Sequence, residues 1–151
     1  MKMLFQNHSF TTTRCPDFVD VTGDVVDMVE ESGVENGMAL VYSPHTTCAI
    51  VINERESGFI SDFEELIAGL VPEQGRYYRH DDMALRTENL EDDDHEVPNG
   101  HAHCKQGLIA SASQTIPIVD GKLMLGRWQR VFFLELDRAR DRRVFIQVMG
   151  E

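Results

Sequence analysis

Residues 43–54 read SPHTTCAIVINE. The middle of this stretch is rich in β-branched and apolar side chains, the composition of a strand. Alternation along a strand puts His45, Thr47, Ala49, Val51 and Asn53 on one face and Thr46, Cys48, Ile50, Ile52 and Glu54 on the other. Both faces are apolar at their centre, which predicts a strand inside a sheet with both sides covered. Its polar ends, His45 and Glu54, then fall at opposite rims, where a rigid scaffold meets solvent. His45 has a plain reading as a hydrogen-bonded residue after a Ser-Pro turn and a second as a site residue.

Other strands and helices can be placed outward from this one. Met3 to Thr13 reads as an edge strand, and Gly37 to Tyr42 as a short apolar strand. Val21, Val25, Met28 and Val29 lie at i, i+4, i+7 and i+8, a helical face that Asp20 or Thr22 can cap and Gly33 can end. Phe59, Phe63, Leu66, Ile67 and Leu70 repeat helically until Pro72. The last third alternates strand and turn: QTIPIV, the turn Asp120-Gly121, KLMLG, WQRVFFLEL, a polar bend, then VFIQVMG. Strands and helices do not alternate regularly, so a doubly wound parallel sheet is not expected. The expected class is α+β: a β-rich sandwich or barrel-like body of mainly antiparallel strands with two or three packed helices. With 151 residues, the chain reads as one domain over 1–151.

Charge narrows the function. Twenty-six acidic residues against 14 basic give a net charge of -12, which repels a phosphate backbone and anionic lipid. No apolar run approaches the ~20 residues that cross a bilayer. Cys15, Cys48 and Cys104 are odd in number and lack a framework spacing, which fits free thiols in a reducing, cytoplasmic compartment. No nucleic-acid or membrane partner is expected. The acidic run EDDDHE, residues 91–96, reads as a loop.

Candidate chemistry is scattered. There is no Cys-x-x-Cys and no His-Glu-x-x-His, although imidazoles from distant segments can together hold a metal with an open position. Asn99 is a good N-cap for a short helix starting near Gly100. Residues two apart on a helix are about 200° apart, so only one of His101 and His103 can face a given site. Glu54 and Glu135 sit in apolar strands and need a partner: an ion pair with an arginine such as Arg143 or Arg127, or a part in acid–base catalysis. Ser111, Ser113 and Lys105 could hold a phosphate without a glycine-rich loop. Trp128 reads as a core residue.

Taken together, HTTCAIVINE, YYRHDD, the segment from NGHAHCKQG through GRWQRVFFLELD, and the closing RRVFIQVMGE resemble the YjbQ family over nearly the whole chain. The family's recurrent histidines match His45, His80 and His103, while His101 falls where members vary. Its Asn-Glu matches Asn53 and Glu54, its strand glutamate Glu135, its serine Ser113 and its late arginine Arg143. Ser57, Ser111 and the bend Asp137-Arg138-Ala139-Arg140 depart from the family pattern.

The resemblance implies a homotrimer and a secondary thiamine-phosphate synthase activity, a transferase that joins a pyrimidine pyrophosphate to a thiazole phosphate. It also implies a divalent metal on His45, His80 and His103; imidazole ligands favour zinc or another transition metal over magnesium. Glu54 or Glu135 would be the base or would orient a ligand, and Lys105, Ser113 and Arg143 would hold a small phosphorylated molecule. The alternative is a non-catalytic trimer that binds a metal or metabolite.

Overall fold

A computed structural model describes residues 1–90 and 97–151; the acidic run at 91–96, with His95, lies outside the described residues. Among the described residues, eight strands form two antiparallel sheets. They are β1 (Lys2–Thr11), β2 (Asp17–Asp20), β3 (Gly37–Tyr42), β4 (Cys48–Glu54), β5 (Ser113–Val119), β6 (Lys122–Leu123), β7 (Gln129–Glu135) and β8 (Asp141–Gly150). The larger sheet has the order β1-β8-β3-β5-β6 and the smaller β2-β7-β4. Three helices accompany them: α1 (Thr22–Ser32), α2 (Ser57–Leu70) and α3 (Gly100–Ile109). The expected β-rich α+β body is therefore the one observed, with β1 at a sheet edge.

The inner faces of the two sheets and the apolar stripe of α1 share one core. Val41, Val144, Ile146 and Val148 come from the large sheet, Cys48, Ile50, Val131 and Phe133 from the small one, and Val25, Met28 and Val29 from α1. The other face of the small sheet is also covered. Ala49, Leu134 and Leu136 pack there with Phe18, Val51, Phe63 and Ile109, so α2 and α3 roof it. Phe18 stands edge-on to Phe63 of α2 (5.4 Å) and to Phe132 of β7 (5.5 Å) between ring centroids, joining the helix to the sheet. Burial on both sides is why β4 and β7 carry apolar residues on both faces.

Two expectations about β4 are corrected. The strand begins at Cys48, and it is an edge strand of the small sheet, paired only with β7 among the described residues. Its outer edge is closed locally. Ile50 N–H donates to Ser111 O (2.9 Å), and the Ile50 carbonyl accepts from Ser111 Oγ (2.8 Å) and Gln114 Nε2 (3.2 Å). Residues 43–47 are a turn instead. Ser43 Oγ takes the His45 N–H (3.3 Å), and His45 O takes the Cys48 N–H (3.4 Å).

Trp128 is a third correction. It stands 62% exposed beside Arg127, whose guanidinium lies 4.6 Å from the indole centroid. It precedes β7 in the Gly126–Gln129 turn, beyond the roof that α2 and α3 supply.

Candidate functional site

Asp81 builds the best-defined polar feature. It ends a 3-10 turn, Arg79–Asp81, that packs against the start of α3. Asp81 Oδ1 accepts the N–H groups of Asn99 (2.9 Å) and Gly100 (2.8 Å) and lies 3.2 Å from His80 Nδ1. Burial of the carboxyl works against its charge, but these donors outweigh burial and hold its pKa below the usual carboxylate range. Asn99 sits at the N-cap as expected, yet Asp81 does the capping; the Asn99 side chain donates to Asp137 (3.3 Å).

This arrangement brings His80 against His103, with ring centroids 4.5 Å apart. With Asp81 on Nδ1, His80 has Nε2 left for a ligand, the usual carboxylate–histidine geometry of a metal site. Burial first, and then the neighbouring His80, lower the His103 pKa, so this ring stays neutral and able to ligate. Both rings fit a metal. Among the described residues no third His, Cys, Asp or Glu of the same chain completes the group.

His45 lies elsewhere, in a recess of about 460 Å³ lined by Ser9, Phe10, Thr11, Asp141, Arg142 and Arg143. Its Nε2 accepts the Arg143 backbone N–H (3.0 Å), which leaves Nδ1 facing outward with the proton of the neutral ring. Burial, then Arg142 and Arg143, lower its pKa. The Arg143 guanidinium lies over Phe145 at 5.9 Å. Phe145 and Ser113 both register with Tyr42, so the Ser113 side chain shares this outer sheet face. Thus His45, Arg143 and Ser113 gather at one end of the large sheet, while Lys105 is buried on α3 with His101.

The two carboxylates part company. Glu135 is 0% exposed and accepts Arg142 Nε (2.5 Å) and Nη2 (2.8 Å), Thr12 Oγ1 (3.2 Å), and the N–H groups of Leu136 (3.1 Å) and Asp137 (3.0 Å). The ion-pair reading of Glu135 is the one observed, with Arg142 in place of Arg143 or Arg127. An enclosed and saturated carboxylate has no reach to a substrate, so the catalytic reading of Glu135 is corrected. Glu54 is exposed at the far end of β4, about 20 Å of strand from the His45 turn. Sequence reasoning missed Asp81, Asp137 and Arg142. Only Asp81 left a sequence signal, its adjacency to His80.

Comparisons with known proteins agree with this architecture. The family model described as UPF0047 protein YjbQ-like matches residues 6–151. A UPF0047 protein of Methanothermobacter thermautotrophicus is 36% identical over 100% of this chain and 95% of its own. The UPF0047 protein YugU of Bacillus subtilis is 31% identical over 92% and 94%. A crystal structure from Sulfolobus solfataricus, described as a YbjQ-like protein of unknown function, superposes with a TM-score of 0.84 at 32% identity, covering 99% of each chain. A hypothetical protein from Aeropyrum pernix gives 0.82 at 34% identity, over 98% and 99%.

Proposed function

We propose, starting from a chain that belongs to the YjbQ-like UPF0047 family, that it is a metal-dependent enzyme acting on a small phosphorylated metabolite at sites shared between copies of a homotrimer. The observation that carries the reading is the His80–His103 pair, 4.5 Å apart and oriented by Asp81. It is a two-ligand half-site in which burial keeps the His103 ring neutral. His45 of a neighbouring copy would supply the third ligand. An open three-imidazole zinc site supplies Lewis acidity toward a leaving phosphate.

The outer face of the large sheet supports the assembly. It carries Met3, Phe5, Met38 and Tyr42, 67%, 55%, 43% and 40% exposed, and Phe5 and Tyr42 both contact Phe145. His45, Arg143 and Ser113 lie at one end of that same face, so a copy docked there places its own surface over them. Arg143 and Ser113 then hold the phosphate. Three unpaired cysteines fit the cytoplasm, and among the described residues no helix is long and apolar enough to cross a membrane. Thiamine-phosphate synthesis from a pyrimidine pyrophosphate and a thiazole phosphate is the first reaction to assay.

Metal analysis of untagged protein tests the site. The expected result is one zinc or similar ion per subunit in wild type and none in His45→Ala or His103→Ala. Mixing these two variants tests sharing: copies that pair an intact His45 with an intact His80–His103 recover part of the metal. Metal-free wild type sinks the reading. Metal retained without turnover, or turnover equal in wild type and His45→Ala, makes the protein a binder.

A further inference from the structure

His101 and Lys105 sit four residues apart on α3, 3% and 4% exposed, on the flank turned away from His103. Neither has a part in the histidine pair. His101 Nε2 is enclosed with no hydrogen-bond partner. Lys105 makes no hydrogen bond or ion pair among the described residues. An enclosed imidazole nitrogen without a partner is costly to keep, and an apolar ring of similar size would pack there at less cost; the mostly buried Lys105 brings its ammonium to the same flank.

The charges around them are committed elsewhere. Asp137, also buried, accepts from Arg140 (2.9 Å), Arg138 (3.4 Å) and Asn99 Nδ2 (3.3 Å). Glu135 is taken by Arg142. Cys15 is near enough to feel Lys105. Its thiol is pushed up to about 11, by burial first and then by Glu135, Glu73 and Asp137 against Lys105, so it stays protonated and is no nucleophile. Glu73 is exposed and also within electrostatic reach of His101. Lys105, Arg138, Arg140 and Arg142 thus face Asp137, Glu135, Glu73 and Asp81, four charges of each sign, of which Asp137, Glu135 and Asp81 are hydrogen-bonded to other groups.

We propose that this inner flank of α3 is a subsite for the oxyanion end, a carboxylate or a phosphate, of a small ligand. Lys105 Nζ and His101 Nε2–H are its two donors. A neutral imidazole in the Nε2–H tautomer suffices, so no protonation step is required. The anion satisfies both groups; a cation meets repulsion from the Lys105 ammonium, and an apolar ligand leaves both donors unmet. The subsite is independent of any metal on His103, which projects from the opposite flank.

Calorimetric titration of the full chain with inorganic phosphate and with acetate, with and without EDTA, tests it. Wild type is expected to bind at least one of the two, equally with the chelator present, and the preferred anion identifies the oxyanion. Affinity falls at least tenfold in Lys105→Met and in His101→Phe, with circular dichroism unchanged, and is kept in Arg143→Ala. The His101 imidazole nitrogen resonances of wild type shift on saturation, a readout that needs no variant to fold. The proposal is overturned by no binding up to about 10 mM, by undiminished affinity in Lys105→Met, by loss in Arg143→Ala alone, or by a silent His101 ring. Failure with EDTA but not without it assigns the anion to a metal on the other flank and overturns the proposal as well.

Discussion

At the scale of single residues, Glu135 and Arg142 form the costliest interior feature. Removing one partner leaves the other charged and dry, so Arg142→Ala is expected to lose about 3–5 kcal/mol of stability, measured by urea denaturation. The paired change Glu135→Leu with Arg142→Met returns most of it, because the packing is kept and neither charge remains. The histidines set the response to acid. His45, His101 and His103 all titrate below 6.5, with burial as the first cause. The unfolded chain therefore binds protons first as pH falls. Stability is expected to be full above about pH 6.5 and to erode toward the lowered folded values, seen by comparing denaturation midpoints near pH 7.5 and 5.5. What the sequence could not reveal at this scale is which arginine answers Glu135. Arg127, Arg142 and Arg143 are equivalent on paper; the β8 register turns Arg142 inward and Arg143 outward.

At the scale of elements, α3 positions everything of interest and is seated by close approach. A Cβ on Gly100 would lie 2.8 Å from Tyr78 Cβ and 3.1 Å from His80 Cβ. Gly100→Ala is expected to push the 3-10 turn away, at about 1–3 kcal/mol, with thermal denaturation as the measure. Asp81→Ala removes the cap and costs about 0.5–2 kcal/mol, and amide exchange at Asn99 and Gly100 accelerates. The other end of α3 has slack. Ala110 ends the helix with φ 52°, a conformation glycine adopts freely. Ala110→Gly is expected to gain about 1 kcal/mol, read as a higher melting temperature. The helix was legible from Asn99 and the one-face argument, which also separated His101 from His103. Its cap was not, because Asp81 comes from 18 residues away. Nor was the position of β4. A strand with two apolar faces reads as central, but here the second cover is helical and the edge is sealed by Ser111 and Gln114.

At the scale of the whole molecule, the large sheet presents an aromatic outer face on a strongly acidic chain. Copies that join through it must overcome like-charge repulsion, so association is expected to tighten as salt rises toward 0.15 M, where the Debye length is about 8 Å. Phe145→Glu places a charge beneath Phe5 and Tyr42 and is expected to leave single chains; light scattering should then give 17.2 kDa in place of three times that mass. Fold class, edge strand and hairpin turn were all readable from alternation and turn residues. Convergence of His80 on His103 needed the packing of the Arg79–Asp81 turn against the start of α3.

One further result follows from the strand order. β8 lies between β1 and β3, and Lys2 registers with Gly150. The residues synthesised after the other described strands thus occupy an interior position in the larger sheet. During translation β1 and β3 can bind nothing between them, and their apolar surfaces await a partner until residue 150 has emerged from the ribosome. A nascent chain stalled before β8 should accordingly recruit chaperones, and supplying Asp141–Gly150 in trans as a peptide should release it.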